Sequence, residues 1–183
     1  MRAHVGTVTL AAILALSAGC VPMADGPRSA GTGGQGAAMA LLKDTEGADK
    51  GRVTINPAGV GKLRLTFDAM SMPSGVHAFH VHTTGRCDAP AFTTAGGHWN
   101  PAMKQHGRDN PMGAHAGDMP NLTIGPDGRG RLTAEIDGDL AGLLDADGAA
   151  VIVHAAPDDF RTDPTGNAGA RIACGVVTVG AVM

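Results

Sequence analysis

Beyond its first forty residues the chain nowhere sustains a helical hydrophobic period for three turns; its apolar side chains alternate in short runs cut by turn residues. Val53-Thr54-Ile55 and Leu63-Arg64-Leu65-Thr66-Phe67 alternate on either side of Asn56-Pro57 and Gly59-Val60-Gly61. Leu132, Ala134 and Ile136 alternate with Arg131, Thr133 and Glu135 after the turn Pro126-Asp127-Gly128. Val151-Ile152-Val153 and Gly175-Val176-Val177-Thr178-Val179 are compact β-branched runs. Short strands at this spacing predict an all-β domain, an antiparallel sandwich or barrel. With 28 Gly and 11 Pro among 183 residues, the composition agrees, and the length suits one domain. A formal charge of −3 without any basic block argues against nucleic-acid binding through phosphate contacts.

The amino terminus reads as a secretory leader over residues 1–19, in which Arg2 precedes a mostly apolar run too short to span a membrane. Leu16-Ser17-Ala18-Gly19-Cys20 resembles the lipobox of bacterial lipoproteins, with Ser17 where Leu is usual. That resemblance implies that Cys20 is acylated and anchors the chain to a membrane; ordinary cleavage nearby is the alternative. Residues 20–40, rich in Gly and Ala, are expected to be a flexible tether, which leaves 41–183 for the folded domain. The expected location is the periplasm or cell envelope. Setting Cys20 aside leaves Cys87 and Cys174, which an oxidising compartment would join; two buried thiols are the alternative.

Residues 83–121 and 155–170 are long, polar and rich in Gly and Pro, and loops of this length inside a compact domain carry function or stay disordered. Seven of the eight His residues lie between 77 and 154, many in or beside the first loop. His80 and His82, two apart, project from one face of a strand and can converge on one ion, whereas His77 points to the other face and reads as structural. His98, His106 and His115 with Asp118 make a closed tetrahedral shell suited to zinc. His154 closes a strand.

Gly-Val-His-Ala-Phe-His-Val-His (75–82), Gly-Gly-His-Trp-Asn-Pro (96–101), His106-Gly107 with His115-Ala116-Gly117-Asp118, and Gly-Asn-Ala-Gly-Ala-Arg-Ile-Ala-Cys-Gly-Val (166–176) resemble copper-zinc superoxide dismutase, and the leader and tether point to its bacterial envelope branch. The resemblance implies an eight-stranded Greek-key antiparallel β-barrel with two long metal-site loops, one copper and one zinc per subunit, and superoxide as substrate. It implies copper on His80, His82, His98 and His154, and zinc on His98, His106, His115 and Asp118, with His98 bridging the two. It further implies that Asp158 links the two metal sites from outside, that Arg171 guides and docks the anion, that Cys87 and Cys174 form the disulfide, and that the assembly is a monomer or a homodimer. Ala78 stands where the family more often has Gly. Arg161 is the one positive charge between Asp158 and Ala170, so Lys104 and Arg108 are candidates for attracting superoxide. A cell-envelope protein that binds copper and zinc without turnover is the rival reading, but it does not account for Arg171, Asp158 or the bridging spacing of His98.

Overall fold

The computed structural model describes residues 1–2 and 38–180, so the expected leader from residue 3, Cys20 and the expected tether as far as residue 37 lie outside the described residues. Alternation decides which face of each strand turns inward. Strand β1 (Ala38–Lys43) buries Ala38, Ala40 and Leu42, β2 (Asp49–Pro57) buries Val53 and Ile55, and β3 (Lys62–Ala69) buries Leu63, Leu65, Phe67 and Ala69. These three form an antiparallel meander. Strand β1 begins three residues inside the stretch expected to be tether. Its inward side chains there are alanines, too small to announce a strand, yet they register against Ile55 and Val53 of β2.

The remaining strands are β4 (Gly75–His77), β5 (Phe79–His82), β6 (Leu122–Ile124), β7 (Gly130–Asp137), β8 (Ala150–His154), β9 (Arg171–Val176) and β10 (Thr178–Val179). An eight-stranded antiparallel sheet runs β5-β8-β9-β1-β2-β3-β7, with β10 also paired to β1, and β4 pairs with β6 in a second small sheet. Because β4 leads directly into β5 and β6 turns into β7, the small sheet joins the two edges of the large one and the sheet curls into a barrel. The Gly175–Val179 run is divided: β9 stops at Val176, Val177 donates its N–H to Ala149, and β10 crosses to β1. The only α-helix among the described residues is one turn, α1 (Leu140–Leu143), N-capped by the Asp139 side chain.

On the outer face of β3 and β7, directly opposed residues form a ladder. Lys62 pairs with Asp137, Arg64 with Glu135 at 2.7 Å, Thr66 with Thr133 at 3.1 Å and Asp68 with Arg131 at 2.5 Å. These exposed pairs add little each, but they keep the outer face polar.

Strand β8 is buried on both faces, which explains its unbroken apolar run. Val151 and Val153 face the barrel interior with Phe79 and Val81 of β5. Ala150 and Ile152 face outward under a satellite cluster with Phe92, Ala95 and Cys174, stapled by the Cys87–Cys174 disulfide across 87 residues. The same parity turns His80 and His82 outward, opposite Ile152 and Ala150, so the metal-site residues lie outside the barrel wall. Phe67 and Phe79, both fully buried, stack at 5.1 Å between ring centroids directly behind His80. Replacing Phe67 with Ala is expected to lower unfolding free energy by about 3–5 kcal/mol in denaturant titration; a loss under about 1 kcal/mol would show that this stack is not the centre of the core.

Candidate metal centre

Strand β5 is an edge strand, and its outer edge is satisfied by the first long loop rather than by another strand. Trp99 donates its N–H to Val81 O at 2.8 Å, Val81 donates to Gly117 O at 3.0 Å, and Gly117 donates to Trp99 O at 2.8 Å. This places His98 beside His82 and Asp118 beside His80 as single antiparallel bridges. The approach requires glycine at 117, because a Cβ there would lie 2.3 Å from Val81 O.

Among the described residues, four buried ring nitrogens have no partner: His80 Nδ1, His82 Nε2, His98 Nε2 and His154 Nε2. Buried polar atoms are normally paired, and four orphans that converge have the chemistry of a ligand set. One ligating atom from each residue falls within 4.8 Å of all the others. The ring centroids make a quadrilateral with His80–His82 (6.4 Å) and His98–His154 (6.3 Å) as diagonals and sides of 4.0–5.6 Å. Four imidazoles in this tetragonal disposition suit copper(II). In three of the rings the other nitrogen is held from outside the set. His80 Nε2 lies 2.8 Å from Asp158 Oδ2, His82 Nδ1 lies 3.0 Å from Gly96 O, and His154 Nδ1 lies 3.3 Å from Gly169 O.

His98 faces both ways. Its Nδ1 lies 2.9 Å from Asp118 Oδ1, 3.2 Å from His106 Nδ1 and 3.3 Å from His115 Nδ1. Asp118 Oδ1 is 3.0 Å from His106 Nδ1 and 3.2 Å from His115 Nδ1. An ion with ligands at about 2.0–2.1 Å in a tetrahedron has ligand–ligand edges of about 3.3 Å, so these edges fit zinc. His80 also has a ligand atom within 4.8 Å of those of His98, His106 and Asp118, but its Nε2 is taken by Asp158 and its Nδ1 belongs to the orphaned four, whereas His115 turns Nδ1 towards His98 and Asp118.

Asp158 joins the two sets, since its second oxygen, Oδ1, lies 2.9 Å from His106 Nε2. Asn121 fixes it from both sides, accepting the Asp158 N–H at 2.8 Å and donating to its carbonyl at 3.0 Å. Gly166, at φ +64, lets the second loop pass over this carboxylate, where a Cβ would lie 2.0 Å from Asp158 Oδ1. Arg171 is half-buried and extends its guanidinium to the carbonyls of Phe92 and Gly96, each at 2.6 Å. It lines a cavity of about 330 Å³ with His82, His98, His115, His154 and Thr165. Lys104 and Arg108 line a different hollow, with Lys62, His115 and Asp118, and do not line this cavity. His77 is structural as expected: its ring nitrogens lie 2.9 Å from the carbonyls of His154 and Pro73. Asn121, Gly166 and the Gly96 and Gly169 carbonyls carry no signal in sequence spacing, because backbone acceptors and loop crossings are defined only by the folded path.

The electrostatics follow from burial and the carboxylates. Burial, reinforced by neighbouring imidazoles, lowers His82 to about 2, His98 to about 4 and His154 to about 3. Burial also opposes charge on His106, but hydrogen bonds with Asp118 and Asp158 outweigh it and raise this ring to about 9. Burial would raise Asp118 and Asp158, yet their imidazole and backbone N–H partners hold both well below the carboxylate range. Burial lowers Arg171, and a guanidinium so placed remains cationic.

An antiparallel barrel bearing a four-imidazole set beside a three-imidazole, one-carboxylate cage defines a metalloprotein with two adjoining sites. The chain belongs to the copper/zinc superoxide dismutase family, whose sequence model matches residues 49–177. It is 40% identical over 149 residues to "Superoxide dismutase [Cu-Zn] 2" of Aquifex aeolicus, covering 76% of this chain and 85% of that one. Over 150 residues it is 42% identical to the Cu-Zn superoxide dismutase of Caulobacter vibrioides, covering 76% and 84%. A crystal structure of a superoxide dismutase-like protein from Bacillus subtilis superposes with a TM-score of 0.71 at 39% identity, covering 75% of this chain and 96% of that one.

The protonation pattern predicts the acid sensitivity of the metal-free protein. In the unfolded chain His82, His98 and His154 take up protons near 6.5, whereas folded they stay neutral to about 4 or below. The unfolded state therefore binds more protons as pH falls below 6.5, and stability falls. The raised His106 acts oppositely, its contribution being lost as pH rises from 6.5 through about 9. The melting temperature of the metal-free protein should peak near neutral pH and drop towards pH 4; a flat profile in calorimetry would contradict the burial of these rings.

Proposed function

We propose that this chain dismutes superoxide to dioxygen and hydrogen peroxide, with copper on His80, His82, His98 and His154 and zinc on His98, His106, His115 and Asp118. The observation that carries the reading is the four orphaned nitrogens next to a cage of tetrahedral edges, sharing one imidazole between them. Similarity to proteins named Cu-Zn superoxide dismutase supports the reaction. Copper, when bound, supplies a one-electron couple that accepts an electron from one superoxide and returns it to a second, while zinc supplies a fixed Lewis-acid charge.

The chain's own groups do the rest. Arg171 spends part of its guanidinium on the Phe92 and Gly96 carbonyls, which fix its plane, has N–H donors left over, and lines the cavity that an anion enters. The Gly96 carbonyl also meets His82 Nδ1, so the anion-docking residue and a copper ligand share one backbone anchor. Peroxide formation consumes two protons. His98, held at Nδ1 among Asp118, His106 and His115, offers Nε2 as the atom at which one proton is held and passed on. Asp158 orients His80 and His106 together, so neither ring turns independently. Lys104 and Arg108 line a different hollow, which leaves Arg171 as the one Lys or Arg among the described residues that line this cavity.

The leader and Cys20 support an envelope location with a lipid anchor; an acyl addition on Cys20 in the intact mass of the mature protein is the expected result, and an unmodified Cys20 would remove the anchor. The activity is tested by stopped-flow decay of superoxide with one copper and one zinc verified per chain. Fast catalytic decay is expected, and uncatalysed decay would leave a metal-binding protein without turnover. Arg171→Ala should keep both metals and lower the second-order rate at least about tenfold, whereas His98→Ala should lose both metals; metal loss from Arg171→Ala would contradict the docking role.

A further inference from the structure

Two rings of the zinc cage, His106 and His115, have an outward nitrogen that is free of the copper set. His106 presents Nε2 to Asp158 Oδ1 at 2.9 Å. His115 turns Nδ1 into the cage, 3.3 Å from His98 Nδ1 and 3.2 Å from Asp118 Oδ1, so its Nε2 points away from it. The carboxylate on that side is Asp163, whose Oδ1 lies 3.8 Å from His115 Nε2. The same oxygen accepts the backbone N–H of His106. One carboxylate thus accepts a hydrogen bond from the main chain of one ligand residue of the cage and lies within ion-pair distance, 3.8 Å, of the ring of another.

Asp163 is brought there by the second loop, which is tied to the first at neighbouring points. Asp109 donates its N–H to Phe160 O at 3.0 Å, and Arg161 Nε lies 3.9 Å from Asp109 Oδ2. Gly107 permits the crossing, since a Cβ there would lie 2.2 Å from Phe160 O. The cap on the His106 N–H fixes where Asp163 sits, and its charge falls on His115 for electrostatic reasons: an imidazole whose Nδ1 serves a dication carries added positive charge at Nε2–H, which an adjacent carboxylate stabilises.

We propose that Asp163 is a positioning residue for zinc, the outer carboxylate of His115, so that the two loops are joined by a carboxylate pair in which Asp158 serves His106 and Asp163 serves His115. The inference rests on the zinc assignment made above. Asp163 is partly exposed, and it holds His115 in the tautomer and orientation that present Nδ1 to the ion.

The test separates the charge from the cap. Asp163→Asn keeps an oxygen that can accept from the His106 N–H but removes the charge; Asp163→Ala removes both, and Asp163→Glu tests rescue. Zinc affinity is measured on the copper-free, disulfide-intact full-length protein by chelator competition, together with the visible spectrum of cobalt bound in place of zinc. Asp163→Asn should weaken zinc about 10-fold or more and shift the cobalt bands, with copper affinity unchanged. Asp163→Ala should weaken it further and Asp163→Glu should recover part of the loss. Asp109→Asn serves as a control, removing an equal charge from the facing loop without touching His115. Wild-type zinc affinity and an unshifted cobalt spectrum in Asp163→Asn would overturn the inference, as would an equal loss in Asp109→Asn. Failure of the wild-type chain to bind zinc would instead overturn the zinc assignment itself.

Discussion

The open edge of β5 is the constraint on which the centre depends. An edge strand with unpaired N–H and C=O groups must be covered, and here Trp99 and Gly117 of one loop take both groups of Val81. Covering the edge in this way brings His98 and Asp118 against His80 and His82, so closing the sheet edge and assembling two metal sets are one event. Part of the loop is held by burial: Phe92 and Ala95 lie in the satellite cluster that the disulfide staples, and Met119 lies in the main core. Its order also comes from these backbone bonds, from Trp99 packed in the main core and, on its other side, from contacts with residues 155–170.

Polarity at the centre is arranged around what burial permits. Uncharged imidazoles tolerate burial better than charged ones, and His82, His98 and His154 are pushed towards the neutral form that a metal requires. The two buried carboxylates are costly without positive partners, and each is given two or more imidazole contacts. In the metal-free protein His106 holds a proton between them; a metal ion entering the cage takes over that balance of charge. Metal binding, loop order and protonation are therefore one coupled equilibrium.

The features that favour an enzyme over a metal store lie in the approach to the four nitrogens rather than in the nitrogens. A store needs donors and closure. Here a cavity of about 330 Å³ adjoins the four nitrogens, and its wall carries a cationic side chain whose plane is fixed by two carbonyls. The disulfide supports the same wall: Cys87 and Cys174 staple the segment that includes Phe92 to β9, the strand that Arg171 begins.

Much of this was legible in the sequence because it depends on local pattern. Period-two alternation determined the strands and turned His80 and His82 to one face, and the residue types at 98, 106, 115 and 118 determined that a zinc-like shell was available. Local pattern started the folded domain at 41, three residues after β1 begins, because Ala38 and Ala40 are too small to signal burial, and it could not place Lys104 and Arg108, which line a separate hollow. Only the tertiary structure decided which nitrogen of each ring faces inward and what holds the other one. Those choices are made by contacts between separate parts of the chain: Asp158 on His80 over 78 residues and on His106 over 52, the Gly96 carbonyl on His82 over 14, and the Gly169 carbonyl on His154 over 15. A sequence specifies donors residue by residue, but the direction of a ring is set by the neighbour that the folded backbone places against its far side.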